Sequence, residues 1–459
     1  MAQNNFDKLY NKYNVPVPRY TSYPTVPDWD TQNWNADLWK NKVKEAFNLY
    51  NSSDGLSLYI HLPFCESLCT YCGCNTRITK NHSVEIPYIQ TVLKELDLYI
   101  ALWEDLPELK EIHLGGGTPT FFSAQNLQIL LNGIYERCFL KEDFSLSFEA
   151  HPANTSAEHL QILSNLGSKR LSLGVQDFDE KIQKVINRKQ SFEDVKRVVV
   201  EARNLNYESV NLDLIYGLPF QTLQSINATI DKVLELMPER IAFYSYAHVP
   251  WKHPGQRAYG EKDLPTNEEK RALYDLGKEK LLQAGYIEIG MDHFALPQDE
   301  LYEAKNKGKL HRNFMGYIVQ QSRFLIGLGV SSISDVHFAY AQNVKTVEEY
   351  KMLIQSNQFA LEKGHIMTDK EIVTRKNIHQ LLCNKNIPSA IIETLDENVL
   401  NNFKTQIIQM EKEGIIAYNC ATEEYLVQAQ GAPFIRNIAA LFDDKQLKQI
   451  NQQKFSSSI

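Results

Sequence analysis

Four of the chain's seven cysteines lie within ten residues of one another, in the stretch FCESLCTYCGCNTR. Their spacing is Cys65-x3-Cys69-x2-Cys72-x-Cys74. A zinc site would use four thiolates, a disulfide two, and a catalytic thiol one. Zinc sites usually separate two ligand pairs by a dozen or more residues, and no second CxxC or CxxH pair follows at such a distance. Three-residue and two-residue spacers within one short loop favour an iron–sulfur cluster instead.

Three cysteine ligands on a four-iron cluster leave one iron open, and an open position is what makes a metal site catalytic. A fourth thiolate would close that position. The remaining cysteines, Cys138, Cys383 and Cys420, are isolated, which is typical of small buried hydrophobic residues. A structural zinc site remains the alternative interpretation of the cysteine group.

Composition limits the classes of function. The 459 residues are 43% hydrophobic and 23% charged, as in a soluble protein with a large core. Lys and Arg total 48 against 56 Asp and Glu, and this net charge of -8 argues against broad binding to nucleic acids or anionic membranes. The start, MAQNNFDKLYNKYNV, has no signal-peptide pattern, and no apolar run approaches the roughly 20 residues that span a bilayer. We therefore expect a cytoplasmic protein with reduced thiols.

The elements that must position the cysteines follow one repeated pattern between about residues 56 and 295. Short apolar runs alternate with loops and amphipathic stretches such as SFEDVKRVVVEARNLN, which predicts alternating strands and helices. This order favours an α/β fold in which parallel strands are covered by helices, either an open sheet or a partial TIM-type (β/α)6 barrel. The runs are LSLYIHLPF, EIHLGGGTP, FSLSFEAHP, RLSLGVQDF, VNLDLIYGLP, RIAFYSYAHVP and YIEIGMDHFA.

Chemically capable residues cluster where these predicted strands end, and ligands of parallel α/β folds bind at that edge. Six predicted strand ends in succession carry such residues, which predicts a single binding-site opening lined by all of them. In chain order they are the cysteines, Gly115-Gly116-Gly117-Thr118, Glu149, Gln176 with Asp177, Asp213, and Tyr246-Ala247-His248.

Two flanking regions differ from the repeated pattern, so we predict three domains. Residues 1–50 contain VPRYTSYPTVPDWD, which cannot form a long helix and suits a lid over the active site. Residues 51–365 form the catalytic domain. In residues 366–459, helices beginning after the cap Thr368 precede a predicted hairpin, which indicates a winged-helix-like α+β domain. Its 8 Lys and 2 Arg against 4 Asp and 7 Glu offer no basic face for DNA, so we expect a capping role.

The segment Cys65-x3-Cys69-x2-Cys72, with Tyr71 before the third cysteine, resembles the signature of radical S-adenosylmethionine (SAM) enzymes. The glycine run after the second predicted strand resembles the segment that contacts the SAM amino group in that superfamily. The resemblance implies a [4Fe–4S] cluster whose open iron binds SAM, and one-electron cleavage of SAM to a 5′-deoxyadenosyl radical. The protein would then supply orientation and exclusion of water.

Further motifs resemble a narrower family, the oxygen-independent coproporphyrinogen III oxidases, over nearly the whole chain. This resemblance implies a role in anaerobic haem biosynthesis, with two propionate side chains of coproporphyrinogen III converted by oxidative decarboxylation to the vinyl groups of protoporphyrinogen IX. The motifs are PRYTSYPT, HLPFCESLCTYCGCN, HLGGGTPT, LSLGVQDF, NLDLIYGLP, YAHVP, GMDHFA, LHRNFMGY and GLGVSSIS.

By motif, the family implies that Cys65, Cys69 and Cys72 ligate the cluster and that Cys74 does not. It also implies two SAM molecules. Phe314 and Met315 are left out, because some relatives carry glutamine at the latter position and a thioether cannot donate a hydrogen bond. The first SAM would contact Tyr59, Tyr71, Gly116, Glu149 and Ile333. The second would contact Gly117, Thr118, Gln176, Arg188, Asp213 and Ala247.

The implied substrate carries four carboxylates, and burying carboxylates without partners is unfavourable. We therefore predict a local group of cations, with Arg19 and Arg312 as candidates and His311 as a further one. The remaining expected partners are SAM and an unidentified electron donor and acceptor, without nucleic acid or membrane. The family resemblance favours a monomer.

Two other functions are compatible with parts of the sequence. A radical SAM-like haem chaperone shares the three cysteines and the glycines, but such relatives have an aromatic residue at the position of Cys74 and lack PRYTSYPT and HRNFMGY. A zinc-dependent nucleic-acid regulator built on the C-terminal region is disfavoured by charge. All of these features favour the enzyme.

Overall fold

The computed structural model describes residues 2–32, 34–251, 253–319 and 321–448. Two helices precede the sheet: α1 (Ala2–Tyr13) and α2 (Ala36–Tyr50). Between them, the described residues are irregular apart from a short 3-10 turn at Val26–Asp28, as the Pro-rich sequence predicts. Asn35 caps α2 by accepting from two backbone N–H groups of its first turn.

Six parallel strands and their helices form the centre of the molecule, which confirms the predicted α/β class and the six strand–helix units. The strands are hydrogen-bonded in the order in which they occur along the chain. The elements are β1 (Leu56–Leu62), the short strands β2 (Phe64–Cys65) and β3 (Arg77–Ile78), α3 (Glu85–Ile100), β4 (Glu108–Gly116), α4 (Ala124–Tyr135), β5 (Phe139–Ala150), α5 (Ala157–Asn165), β6 (Ser168–Gln176), α6 (Glu180–Val185), α7 (Phe192–Asn204), β7 (Ser209–Tyr216), α8 (Leu223–Leu236) and β8 (Arg240–Ser245).

Within each of these strands, apolar side chains alternate with polar or small ones. In β1, Leu58 and Ile60 belong to the large apolar core, whereas Tyr59 between them points into a cavity. In β7, Leu212 and Leu214 lie in the same core, and Asp213 points into the cavity. Because successive side chains point to opposite faces of a strand, one face packs under the helices and the other lines the interior of the partial barrel.

The sheet is extended at both edges by strands that depart from the repeated unit. The seventh apolar run, YIEIGMDHFA, forms an antiparallel hairpin rather than another parallel strand, because its two halves turn back at Met291-Asp292. On the other side, one parallel strand pairs with β1 and the following strands are antiparallel. The elements of this part of the chain are α9 (Asn267–Gln283), β9 (Ile287–Gly290), β10 (His293–Ala295), α10 (Glu300–Asn306), β11 (His311–Asn313), β12 (Gly316–Ile318), β13 (Leu325–Leu328), β14 (Ile333–Asp335), β15 (Ala339–Asn343), α11 (Val347–Gln355) and β16 (Leu361–Ile366). Of these, β11 and β12 pair with each other in a separate two-stranded sheet.

The C-terminal region combines helices with a small antiparallel sheet of order β17-β19-β18, in agreement with the expected winged-helix-like pattern. Thr368 caps its first helix through a capping box with Glu371. The elements are α12 (Asp369–Asn384), β17 (Asn386–Pro388), α13 (Ser389–Ile392), α14 (Glu397–Lys412), β18 (Ile416–Asn419), β19 (Glu424–Val427), α15 (Ile435–Ala439) and α16 (Asp444–Lys448).

The N-terminal segment (residues 8–25) packs against this C-terminal region. Leu9, Tyr13 and Tyr20 lie in one apolar core with side chains of α12, α14 and α15. By contrast, α2 packs against the main sheet through Trp39 and Val43, although the predicted boundary assigns it to the lid. The division into three domains remains a prediction.

Candidate active site

A cavity of about 950 Å³, the first cavity, opens at the carboxyl ends of the parallel strands. The four clustered cysteines line it together with the ends of β4, β5 and β6. All four are free thiols. In the part of the chain that the structure describes, no three His, Cys, Asp or Glu side chains converge on a point where one metal ion could bind. Thiols spread around a volume suit a multinuclear cluster, in which each cysteine binds a different iron.

The cluster loop (residues 65–74) is hydrogen-bonded to neighbouring segments on both sides. The backbone carbonyl of Cys65 accepts from Thr79 N at 2.9 Å, where β2 pairs with β3. Its thiol lies 3.3 Å from the hydroxyl of Thr118, which follows β4. On the far side, Thr70 N donates to Ile186 O at 3.0 Å. These bonds hold the loop over the barrel opening.

The thiols of the loop differ in acidity. The hydrogen bond from Cys74 is the main cause that lowers the pKa of the Cys72 thiol to about 7. The same bond raises the pKa of Cys74. Burial raises the pKa of Cys65 to about 11, although the hydroxyl of Thr118 opposes this effect. Since the thiolate is the metal-binding form, Cys74 serves Cys72 as a donor in this arrangement.

Arg188 connects the cluster loop to β6. Its Nη1 lies 3.3 Å from the hydroxyl of Tyr71 and 3.7 Å from the thiol of Cys69. Its Nη2 donates to Gly174 O, and its Nε donates to Gln190 at 3.0 Å. Burial alone would lower the pKa of this guanidinium, but the neighbouring hydroxyl and thiol hold it above its usual range. A fixed buried cation therefore faces the thiols.

Glu149 at the end of β5 accepts from the backbone N–H of Gly116 at 3.2 Å, and its other oxygen lies 3.5 Å from His113 Nε2. Burial acts to raise the pKa of Glu149, but the hydrogen bond and charge of His113 outweigh it and lower the pKa. Glu149 is therefore a carboxylate that can accept from an amine or a hydroxyl group.

Asp213 on β7 is a second carboxylate in the first cavity, with different properties. It accepts from Ser172 Oγ at 3.1 Å and from Asn211 Nδ2 at 2.8 Å. Burial, and then the negative charge of Glu149, raise its pKa to about 6. A positively charged ligand or one rich in hydroxyl groups would relieve this destabilised charge.

Glycines bring backbone close to the cavity at the end of β4. Gly116 has φ of +117°, which side chains rarely adopt. A Cβ on Gly117 would lie 2.6 Å from the carbonyl carbon and oxygen of Pro63, which directly precedes the cluster loop strand β2. The run therefore permits a turn and a close approach that no other residue type allows there.

The chain is similar to proteins of a known family over nearly its whole length. The model of the Radical SAM superfamily matches residues 59–233. The chain is 35% identical to the oxygen-independent coproporphyrinogen III oxidase of Synechocystis sp., over 98% of this chain and 97% of that protein. It is 37% identical to the enzyme of the same name from Helicobacter pylori, over 96% of this chain and 97% of the relative. The chain belongs to the family of oxygen-independent coproporphyrinogen III oxidases.

The solved structure of coproporphyrinogen III oxidase from Escherichia coli, described as a radical SAM enzyme, has a TM-score of 0.86 to this chain. The two sequences are 34% identical, and the match covers 93% of this chain and 97% of the other. The predicted family, the enzyme class and the fold are thereby confirmed, and the haem-chaperone alternative is not supported. Within the described residues, no helix is long and apolar enough to cross a membrane.

The first cavity brings together most of the residues predicted to bind cofactors in this family member. Their individual roles remain predictions. The residues that line it are Cys65, Cys69, Cys72, Tyr59, Tyr71, Gly116, Gly117, Thr118, Glu149, Gln176, Arg188, Asp213 and Ile333. Phe314 and Met315, which the sequence argument left out, line it as well.

Four of the residues predicted to bind cofactor or substrate lie elsewhere, and Asp177, Tyr246 and His248, which were expected at the same opening, do not line the first cavity either. Ala247 and Arg19 line a second, separate cavity of about 540 Å³. Arg312 is buried, and neither its side chain nor that of His311 lines the first or the second cavity. Arg312 lies on β11, where it faces the ring of Tyr317 rather than the cluster loop. The predicted group of cations is therefore not assembled in the first cavity.

Two histidines and a tyrosine of the barrel interior were missed. His61 Nδ1 lies 3.2 Å from the Tyr59 hydroxyl, and His113 supports Glu149 from below. Tyr244 on β8 lines the first cavity. Each is the polar member of an alternating strand, in YIHL, EIHL and AFYS, and this alternation is the signal that could have found them.

Proposed function

We propose that this family member catalyses oxidative decarboxylation of two propionate side chains of coproporphyrinogen III to vinyl groups, giving protoporphyrinogen IX. The observation that supports it best is the convergence of three thiols, the glycine run and Glu149 on one cavity at the barrel opening. We further propose a cytoplasmic monomer that receives electrons from one partner and passes them to another.

The free thiols and the glycine-lined approach fit a [4Fe–4S] cluster and SAM. The chemistry that these groups supply when bound is abstraction of an unactivated hydrogen atom by a carbon radical made from SAM. Such a hydrogen is too weakly acidic for a side-chain base at neutral pH, which favours its removal by a radical. Cys65, Cys69 and Cys72 would hold the cluster, and one iron would stay open for SAM.

The chain's own residues would orient and protect the reactants. Glu149 would accept from polar hydrogens of the first SAM molecule, and Tyr59, Tyr71, Gly116 and Ile333 would pack against it. Arg188 can pair a carboxylate and Asp213 can accept from hydroxyl groups, which suits a second SAM molecule. The surrounding barrel would exclude water from the radical.

The test is anaerobic reconstitution with iron and sulfide, followed by incubation with SAM, a reductant and coproporphyrinogen III. We expect 5′-deoxyadenosine and a tetrapyrrole that has lost two molecules of CO2. Formation of 5′-deoxyadenosine without decarboxylated product would retain radical chemistry but exclude this substrate. Heating the reconstituted enzyme with a chelator should prevent formation of both products, because the iron held by the thiolates would pass the electron from the reductant to SAM.

A further inference from the structure

The second cavity lies beside the end of β8, between α9, the turn after β9, the N-terminal segment and the C-terminal region. Tyr244 lines the first cavity and the next residue, Ser245, lines the second. Since successive strand residues point to opposite faces, the two cavities flank the end of the same strand. The charged residues that line the second cavity are Arg19, Lys270, Arg271, Lys278, Arg436, Glu261, Glu288 and Asp292.

Lys270 is the central cation of this cavity. Its Nζ donates to the backbone carbonyl of Tyr246 at 2.9 Å. In the described part of the chain, no carboxylate oxygen lies within ion-pair distance of it. Burial, followed by the positive charge of Arg19, lowers the pKa of Lys270 to about 8. The side chain is thus held in a position where its charge is unfavourable until an anion arrives.

Arg436 is a second buried cation at this cavity, and its hydrogen bonds position a third cation, Arg19. Its guanidinium donates to the carbonyls of Val17 and Pro18, which immediately precede Arg19. Burial, and then the charges of Arg19 and Arg312, lower the pKa of Arg436 to about 9. These contacts present Arg19 to the same space as Lys270.

The carboxylates of the cavity are mostly engaged with other partners. Glu288 pairs with Lys278 at 2.9 Å, and Arg271 pairs with Asp275 outside the cavity. Asp292 accepts from His293 at 2.7 Å and lies 3.8 Å from Arg19. The lining therefore carries five Lys and Arg side chains against the three carboxylates Glu261, Glu288 and Asp292.

A further cation lies behind this lining. Arg312 is 7% exposed, and within the described residues its Nε and Nη1 have no hydrogen-bond partner. Its charge helps to lower the pKa of Asp292, together with those of His293 and Arg19. A buried guanidinium whose donors lack partners is destabilising unless an anion compensates its charge.

We propose that the second cavity binds carboxylate groups, with Arg19 and Lys270 as the residues that contact them. Two sources share this chemistry. One is a propionate of the tetrapyrrole, reaching around the end of β8 from the first cavity, and this source rests on the proposed function. The other is a separate small polycarboxylate. The first cavity offers fewer cations for the carboxylates of the tetrapyrrole, since Arg188 and Lys189 are the Lys and Arg residues that line it among the described residues, and the proposed function assigns Arg188 to SAM.

The test compares Lys270→Met with the matched control Lys262→Met, which alters an exposed lysine that does not line the cavity. The probes are coproporphyrin III, which is the stable aromatic counterpart of the substrate, its tetramethyl ester, and citrate. Iron content and melting temperature of both reconstituted variants establish that they fold. Fluorescence titration and calorimetry give the dissociation constants.

If the tetrapyrrole is the source, Lys270→Met should raise the Kd of coproporphyrin III about tenfold, equivalent to about 1.4 kcal/mol. The ester should bind both variants equally. If a small polycarboxylate is the source, citrate affinity should fall instead, with coproporphyrin III unaffected. Unchanged affinity for both carboxylate probes overturns the proposal. Retained carboxylate binding without any turnover of coproporphyrinogen III would instead contradict the proposed function and leave the site standing.

Discussion

The guanidinium of Arg188 lies 3.7 Å from the thiol of Cys69, so one buried cation touches a predicted cluster ligand. Arg188 also lies near the predicted second SAM site, since the negative charge of Asp213, a predicted residue of that site, helps to raise the pKa of Arg188. A cation in this position can attract a carboxylate without binding iron itself.

Replacing Arg188 with methionine should therefore leave the iron content unchanged and reduce bound SAM from two molecules to one. Equilibrium dialysis with labelled SAM on the reconstituted enzyme measures this stoichiometry. The control is Lys189→Met, because Lys189 is exposed and lies next to Arg188 in the same cavity lining. Two SAM molecules retained by the Arg188 variant would remove the assignment.

The cysteine series separates ligands from their neighbour. Cys69→Ser should abolish the cluster, because a serine hydroxyl is a poor replacement for a thiolate ligand. Cys74→Ser should keep the full iron and sulfide content, since serine can still donate to Cys72. Iron and sulfide analysis together with the visible absorption of the cluster provides the measurement. Loss of iron from the Cys74 variant would make Cys74 a ligand.

Gly117→Ala tests the close approach between β4 and the residue before β2. The added Cβ would meet the backbone of Pro63 at 2.6 Å, and backbone cannot rotate away as a flexible side chain can. We expect a loss of about 1–3 kcal/mol in the free energy of unfolding and a KM for SAM raised at least tenfold. Gly73→Ala is the control, because a Cβ there meets nothing within 4 Å. Equal behaviour of the two variants would contradict the packing argument.

Glu95 on α3 predicts a pH dependence of stability. It is fully buried and accepts from Gly329 N, Asn343 Nδ2 and Tyr350 OH. Burial raises its pKa from 4.5 to about 7. Between these two pH values the folded state binds a proton that the unfolded state lacks, so this group's contribution to stability falls as pH rises.

Glu95→Gln should therefore gain stability relative to the native chain as pH rises from 5 to 8, by about 3 kcal/mol at most. At pH 5 the variant should be slightly less stable, because its amide nitrogen cannot accept from Asn343. Urea unfolding at each pH gives the difference. Parallel curves for the two proteins across this range would show that Glu95 has an ordinary pKa.

Much of the fold could be predicted because its signals are local. Each parallel strand is a short apolar run with its own turn, and the capping box from Thr368 to Glu371 marks the start of α12 in the sequence. The hairpin at residues 287–295 was missed as such, because each of its halves is too short to show an alternation of its own. Packing against β8 decides its antiparallel direction.

The candidate site was likewise predictable only where its signals are local. The cysteines form one local group in the sequence and the glycines another, and each group follows a strand whose end lies at the same edge of the sheet. The second cavity could not be predicted, because Arg19, Lys270, Asp292 and Arg436 come from four distant segments. No spacing links them, and the contact between the N-terminal segment and Arg436 of α15 helps to bring Arg19 to the same cavity as Lys270.

The shared core of the two flanking regions has a consequence for synthesis of the protein. Asn437 donates to the carbonyl of Tyr13, which precedes it by 424 positions. Tyr13 therefore leaves the ribosome long before the partner that buries it has been translated. The barrel and its cluster loop can form during this time, whereas the N-terminal segment with Arg19 cannot pack until α15 has been translated. The second cavity is thus among the last parts of a newly made molecule to take shape.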